Sequence, residues 1–135
     1  MKQVEVVAAV IVKDGFILGT QRGYGEFKDK WEFPGGKIEG TESHEEALKR
    51  EIKEELHADI NVKDYLTTVE YDYPEFHLTM HTYICELING LEFVYHNDKE
   101  LEHENMVWLD KEDLHHIDWL PADIEIIKAY QKVYK

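Results

Sequence analysis

The sequence predicts a single α+β domain over residues 1–135, built as a mixed β-sheet with helices packed on its faces. Three observations carry that reading. Strand-like and helix-like segments are intermixed without the regular alternation that a doubly wound parallel sheet requires. No internal repeat, low-complexity tract or Pro/Gly/Ser linker divides the chain. Apolar residues make up 43% and aromatics 12%, enough for a core even though a chain of this size buries only about two-thirds of its surface on folding.

Each element has a local cause. Val4 to Val12 is apolar and β-branched, Lys13-Asp14-Gly15 has turn chemistry, and Phe16 to Gln21 is apolar again, so the three read as a hairpin. Gly23, Gly25 and the charged stretch to Lys30 form a loop. Trp31-Glu32-Phe33 is strand-like, and Pro34-Gly35-Gly36 is expected to break it. Thr41-Glu42-Ser43 offers helix-start residues ahead of Glu45 to Leu56, which contains strong helix formers and neither Gly nor Pro. Asp64 to Tyr73 and Phe76 to Leu87, on either side of Pro74, are rich in Tyr, Thr, Val and Ile and read as strands, with Asn89-Gly90 as a turn. Asn105 to Leu109 is a last strand. Pro121 stands where a first helical residue belongs, before Asp123 to Tyr134.

Charge narrows the function. There are 15 Lys and Arg against 29 Asp and Glu, a formal charge of −14. Such a chain lacks the clustered cations that grip a nucleic-acid polymer or an anionic membrane, so neither is an expected partner, and phosphate must be reached through a bound cation. The lone Cys85 makes no internal disulfide, no Cys pairs suggest zinc, and the longest apolar run, Val6 to Val12, is too short to span a bilayer. No basic-then-apolar leader precedes it. The expectation is a soluble cytoplasmic protein, monomeric or homodimeric.

The helix over Glu45 to Leu56 carries carboxylates where packing alone would not put them. At about 100° per residue, with Leu48 at zero, Ile52 lies near +40°, Leu56 near +80° and Ala47 near −100°. On the same wheel, Glu55 falls at about −20° and Glu51 at about −60°, inside that apolar arc, and Glu54 at about −120°, at its edge. Carboxylates withdrawn from water need a partner, and the helix C-terminal half disfavours negative charge. Arg50, four residues before Glu54, neutralises one of them. Two readings stay open: a Glu/Lys-rich helix is a solvated face, or Glu51 and Glu55, one turn apart, supply the hard oxygen ligands that Mg²⁺ or Mn²⁺ selects.

These residues resemble a known family. Gly36-Lys37-Ile38-Glu39-Gly40-Thr41-Glu42, then seven residues, then Arg50-Glu51-Ile52-Lys53-Glu54-Glu55, is similar to the Nudix box, G-x5-E-x7-R-E-U-x-E-E-x-G-U with U a bulky aliphatic. His57 replaces the box Gly and Ala58 its last aliphatic. The Gly is normally a left-handed cap, a conformation that His adopts at some cost. Val4 to Arg22, Trp31 to Lys37, Tyr73-Pro74 and Leu120 to Ile124 look like the MutT-type branch, and most like its CTP and pyrimidine deoxynucleotide pyrophosphohydrolases.

The resemblance implies an α/β/α sandwich around a mixed sheet and hydrolysis of a nucleoside triphosphate to the monophosphate and pyrophosphate with Mg²⁺ or Mn²⁺. By the family pattern Glu51, Glu54 and Glu55, with the Gly35 carbonyl, hold the metal. Glu102 matches a loop carboxylate that adds a ligand or helps deprotonate water, or is one more acid of the charged run Lys99 to Glu104. Lys37 brings positive charge to the phosphates, Arg50 orients a ligand carboxylate, and Glu42 suits the helix start.

Asp123 stands where similar enzymes place a base-reading side chain; as a carboxylate it accepts from an exocyclic amino group, of cytosine or of guanine. It is equally a first-turn acid after Pro121. Phe33 is either a base-stacking ring or core, and Arg22 a base contact. The expected substrate is CTP, dCTP or a modified cytosine nucleotide, with 8-oxo-dGTP (nucleotide-pool sanitation and DNA repair) as the alternative and a non-catalytic nucleotide-sensing module as the second. His77 and His81 share a strand face without a third ligand and read as hydrogen-bonded residues; His115 and His116 lie in a connection. Cys85 reads as a small buried hydrophobe. Gly35-Gly36-Lys37 lacks the first Gly and the following Ser or Thr of a phosphate-binding P-loop.

Overall fold

The apolar run Val6–Val12 is continuous because its strand is covered on both faces. In the computed structural model, which describes residues 1–23, 25–91 and 103–134, β1 (Lys2–Lys13) lies in the middle of a seven-stranded sheet. Val7, Ala9 and Ile11 point to one face, where they pack with Leu48, Ile52 and Leu56 of α1 (His44–Leu56). Ala8 and Val10 point to the other, against Ala122, Ile126 and Ile127 of α2 (Pro121–Val133). The result is a sandwich of helix, mixed sheet and helix, as expected.

β1 runs parallel to β6 (Phe76–Asn89) from Lys2↔Phe76 to Val12↔Glu86, and β6 is antiparallel to β5 (Asp59–Tyr73). On its other side β1 meets β2 (Phe16–Arg22) only at the hairpin end, at Val12↔Ile17 and Lys13↔Phe16. That hairpin turns through Asp14 and Gly15, both at positive φ (52° and 84°), the conformation a two-residue hairpin needs. Beyond it the two strands part like a fork. β7 (His103–Asp110) accompanies the outer side of β2. The segment Trp31–Lys37 crosses the gap, pairing with β2 as β3 (Trp31–Glu32) and with β1 as β4 (Gly35–Lys37).

β4 differs from the expected break at Pro34-Gly35-Gly36. The reason is steric: a Cβ on Gly35 would come within 2.0 Å of the Val7 carbonyl oxygen, so only glycine lets this backbone approach β1 closely enough to pair. β5 begins at Asp59, five residues before the strand read from Asp64, because three register shifts break its alternation. Lys111–His116, expected as a connection, is a 3-10 turn.

α1 is closed at both ends. The Ser43 hydroxyl accepts from the Glu46 N–H, and the Glu46 carboxylate accepts from the Ser43 N–H, a complete capping box. At the C-terminus His57 takes the left-handed conformation (φ 56°, ψ 37°), and its N–H donates to the Lys53 carbonyl. His therefore performs the cap that the family gives to Gly. The loop ahead of α1 is tied down by Glu42, whose carboxylate receives two bonds from Arg50, from Nε at 2.7 Å and Nη2 at 2.9 Å. That bidentate bond, followed by the one from the Glu39 N–H, holds the Glu42 carboxyl below the usual carboxylate range.

Two predictions follow from these ends. His57→Gly relieves the left-handed strain and should raise stability by about 0.5–1 kcal/mol in urea unfolding; an unchanged or lower midpoint contradicts the strain. Glu42 has a folded pKa below its unfolded value of about 4.3, so its contribution is present above that value and is lost as pH falls through the folded pKa. Glu42→Gln should therefore lower the urea midpoint at pH 7, by an amount that shrinks as pH falls through the folded pKa; a gap that does not narrow in acid argues against the carboxylate.

Candidate active site

The fork between β1 and β2 opens into a cleft of about 600 Å³, with α1 at one end and the start of α2 at the other. At the α1 end Glu51 leans over Gly36 so closely that a Cβ there would lie 2.4 Å from its carboxylate. Gly36 thus leaves room for a carboxylate against the strand backbone. Glu51 is 12% exposed, Glu55 partly buried and Glu54 59% exposed. The wheel puts Glu51 and Glu55 inside the apolar arc and Glu54 at its edge, and the exposures divide the same way.

Arg50 sits behind this row. Besides Glu42, its guanidinium donates to Glu51 at 2.9 Å, to Glu54 at 3.3 Å and to the Lys37 carbonyl at 2.9 Å, and lies 3.5 Å from Glu39. Bonds to Glu42 raise its pKa further above an already high value, so it is a permanent cation. The sequence pairs Arg50 with Glu54; the structure makes Glu42 its main partner, because the loop before α1 brings that carboxylate into the planar fork of the guanidinium. Glu42, directly before the N-cap Ser43 and so near the helix start as expected, is thereby also a latch on the loop.

Glu51, Glu55, Gly35 and Lys37 line the cleft at this end, and Arg22, Phe33 and Asp123 line it at the other. Arg50 and Glu54 are not part of its wall. Glu102 lies outside the described residues. Among the described residues no three His, Cys, Asp or Glu side chains are already gathered closely enough to cage an ion. The donor set nonetheless fits a hard divalent cation: carboxylate oxygens from successive turns of one helix, a carbonyl at Gly35, and the space cleared by Gly36.

The far end is dry. Asp123 is 4% exposed, and its Oδ2 accepts from the Phe33 N–H at 2.8 Å. Burial pushes its pKa well above the ordinary value, against the opposing bond from Phe33. Asp123 is in the first turn of α2, as the sequence shows, but its side chain turns inward to the cleft. Arg22 pairs with Glu32 at 3.1 Å. The Phe33 ring is 4% exposed and stacks on Trp119, with centroids 4.5 Å apart, so it is a core ring that also forms cleft wall. Sequence reasoning missed Glu32, Phe27, Tyr73 and Phe76 in this wall; aromatic clustering around Tyr73 was the available signal, but strand alternation alone does not tell which face meets the cleft.

The remaining candidates stay outside the site. His77 bonds Asp72 and Glu70, and His81 bonds Glu5 and Thr68. Cys85 is buried, and desolvation pushes its thiol up to about 12, which removes it as a nucleophile. Among the described residues no helix is long and apolar enough to cross a membrane.

The NUDIX domain model matches residues 1–130. The CTP pyrophosphohydrolase of Escherichia coli K12 is 34% identical over 96% of this chain and 93% of its own length. The 8-oxo-dGTP diphosphatase of Haemophilus influenzae is 30% identical over 93% and 90%. The solution structure of the E. coli ORF135 protein superposes with a TM-score of 0.82 at 32% identity, covering 98% of this chain and 91% of that one. With the carboxylate row of α1 and the fold that presents it, these likenesses show that the chain belongs to the Nudix family, as a hydrolase acting on nucleotides.

Proposed function

We propose that this enzyme hydrolyses a nucleoside triphosphate to the monophosphate and pyrophosphate, with CTP or dCTP, plain or modified on the base, as its substrate. The observation that carries the reading is the continuity of the cleft, which joins Glu51 and Glu55 at one end to the buried Asp123 at the other.

Members of the Nudix family generally use a divalent metal. Here Glu51, Glu54, Glu55 and the Gly35 carbonyl would hold Mg²⁺ or Mn²⁺, with Glu102 as a further ligand or as the group that takes a proton from water. Such an ion supplies charge neutralisation for the phosphates and a lowered pKa for a bound water. The protein's own residues do the rest. Arg50, anchored by Glu42, fixes the orientation of Glu51 through its 2.9 Å bond. Lys37, exposed on the rim, meets the phosphate tail. Glu55, partly withdrawn from water at the cleft wall, would lend its carboxylate to that ion.

Base choice follows from the state of Asp123. Burial pushes the Asp123 carboxyl upward; in its neutral form it both accepts and donates, whereas ionised it only accepts. Cytosine offers a donor at N4 and an acceptor at N3, the complement of a neutral acid. The Escherichia coli relative is named a CTP pyrophosphohydrolase. A second reading, 8-oxo-dGTP, is favoured by the name of the Haemophilus relative and by guanine's adjacent N1 and N2 donors, which suit the ionised carboxylate.

Incubation of the protein with individual nucleoside triphosphates and Mg²⁺ tests the main reading; release of no pyrophosphate from CTP, dCTP or a modified cytosine nucleotide sinks it. Glu55→Gln should lower kcat on the order of 10²–10⁴-fold with the fold intact, and an unimpaired variant removes Glu55 from the mechanism. The ratio of kcat/KM for dCTP over 8-oxo-dGTP should fall as pH rises through the elevated pKa of Asp123. Asp123→Asn, neutral at every pH, should flatten that profile; a ratio independent of pH in wild type contradicts the neutral acid.

A further inference from the structure

Tyr73 ends β5 with its ring inside the cleft wall, 7% exposed. The ring is fixed on three sides, stacked on Phe76 (centroids 5.1 Å apart) and tilted against Phe27 (5.3 Å) and Tyr71 (4.8 Å). Its oxygen is fixed as well. α2 begins at Pro121 with no side-chain cap from Leu120, and the phenol of Tyr73 fills that place by accepting from the Ala122 N–H at 3.2 Å. An oxygen that accepts from an amide directs its own O–H elsewhere, and among the described residues that proton meets no acceptor. Burial pushes the phenol up to about 12, so the proton stays on at neutral pH. A fixed donor thus stands on the same wall as Asp123, bonded to the residue that precedes it in the chain.

We infer that Tyr73 is a specificity-determining residue, whose phenol donates to the 2-carbonyl oxygen of a cytosine while Asp123 reads N3 and N4. The inference rests on the cytosine reading above. If a neutral Asp123 occupies the N3 and N4 positions, O2 is the one acceptor of that base edge still without a partner, and Tyr73 is the neighbouring donor. A buried donor left unmatched is costly, so the phenol selects bases with a carbonyl at that place.

The test compares CTP with 2-thio-CTP, whose sulfur is a weak acceptor, in wild type and in Tyr73→Phe, which keeps the ring packing. Wild type should favour CTP by about tenfold in kcat/KM, and the preference should vanish in Tyr73→Phe, with the loss in KM and kcat retained. The pH profile of the dCTP to 8-oxo-dGTP ratio should be the same in both proteins, since Asp123 stays in place; a phenol that only braces α2 would move that profile and leave the CTP preference intact. A CTP preference that survives in Tyr73→Phe overturns the assignment, as does a wild type indifferent to the sulfur. The wild-type comparison reads the same bond without any substitution, should Tyr73→Phe fail to fold. Wild type that turns over neither CTP nor dCTP overturns the cytosine reading itself, and the assignment with it.

Discussion

Carboxylates packed against a strand backbone and partly withdrawn from water are the constraint on which the site depends. Glu51 lies over the backbone of β4 in a space that only Gly36 leaves open, and its helix is pinned to the sheet by Leu48, Ile52 and Leu56. Arg50 makes the arrangement tolerable. One guanidinium serves Glu42, Glu51, Glu54 and the Lys37 carbonyl together, and so joins the loop before α1, the helix and β4 into one unit. An ammonium point charge would not replace it, because the planar fork supplies two parallel bonds to Glu42 while a third edge faces Glu51. More negative charge is concentrated on one face of α1 than one Arg neutralises, which is the electrostatic condition for a divalent cation and, through it, for a polyphosphate.

The two ends of the cleft solve opposite problems. The α1 end surrounds its carboxylates with the Arg50 guanidinium and leaves them partly exposed. The α2 end, with Asp123 at 4% exposure among Phe33, Tyr73 and Leu120, favours the neutral acid by desolvation. A triphosphate with a base attached has the same division, charge at one end and a flat, hydrogen-bonding ring at the other. The fork between β1 and β2 makes the division possible, since the segment Trp31–Lys37 touches both ends: its Phe33 N–H holds Asp123, and its Gly36 admits Glu51.

Much of α1 was legible in the sequence because its determinants are local. Ser43 and Glu46 are three residues apart, and the left-handed turn at His57 is closed by a bond to Lys53. The apolar period of the helix placed Glu51 and Glu55 toward the protein, and they are the less exposed of the three acids. The other half of the site was not legible. The bond from Phe33 to Asp123 spans 90 residues of chain, and that from Ala122 to Tyr73 spans 49; no spacing rule reaches so far. β4 was read as a break because Gly and Pro weaken strands in general, whereas here the missing Cβ is what permits pairing. Glu42 does lie at the helix start, but its bond to Arg50, eight residues on, was not legible because it forms only when the loop folds back.

The sequence by itself determined the mixed α+β class, the helix that carries the carboxylates and the residues that start it, which rest on periodicities and contacts within a few residues, and it carried the family motif by resemblance. Only the tertiary structure decided that Asp123 is buried and drawn toward neutrality, that Phe33 is committed to Trp119, that Arg50 is latched by Glu42, and that Tyr73 stands beside Asp123. Those properties come from desolvation and from the meeting of distant strands, and neither exists until the sheet has closed.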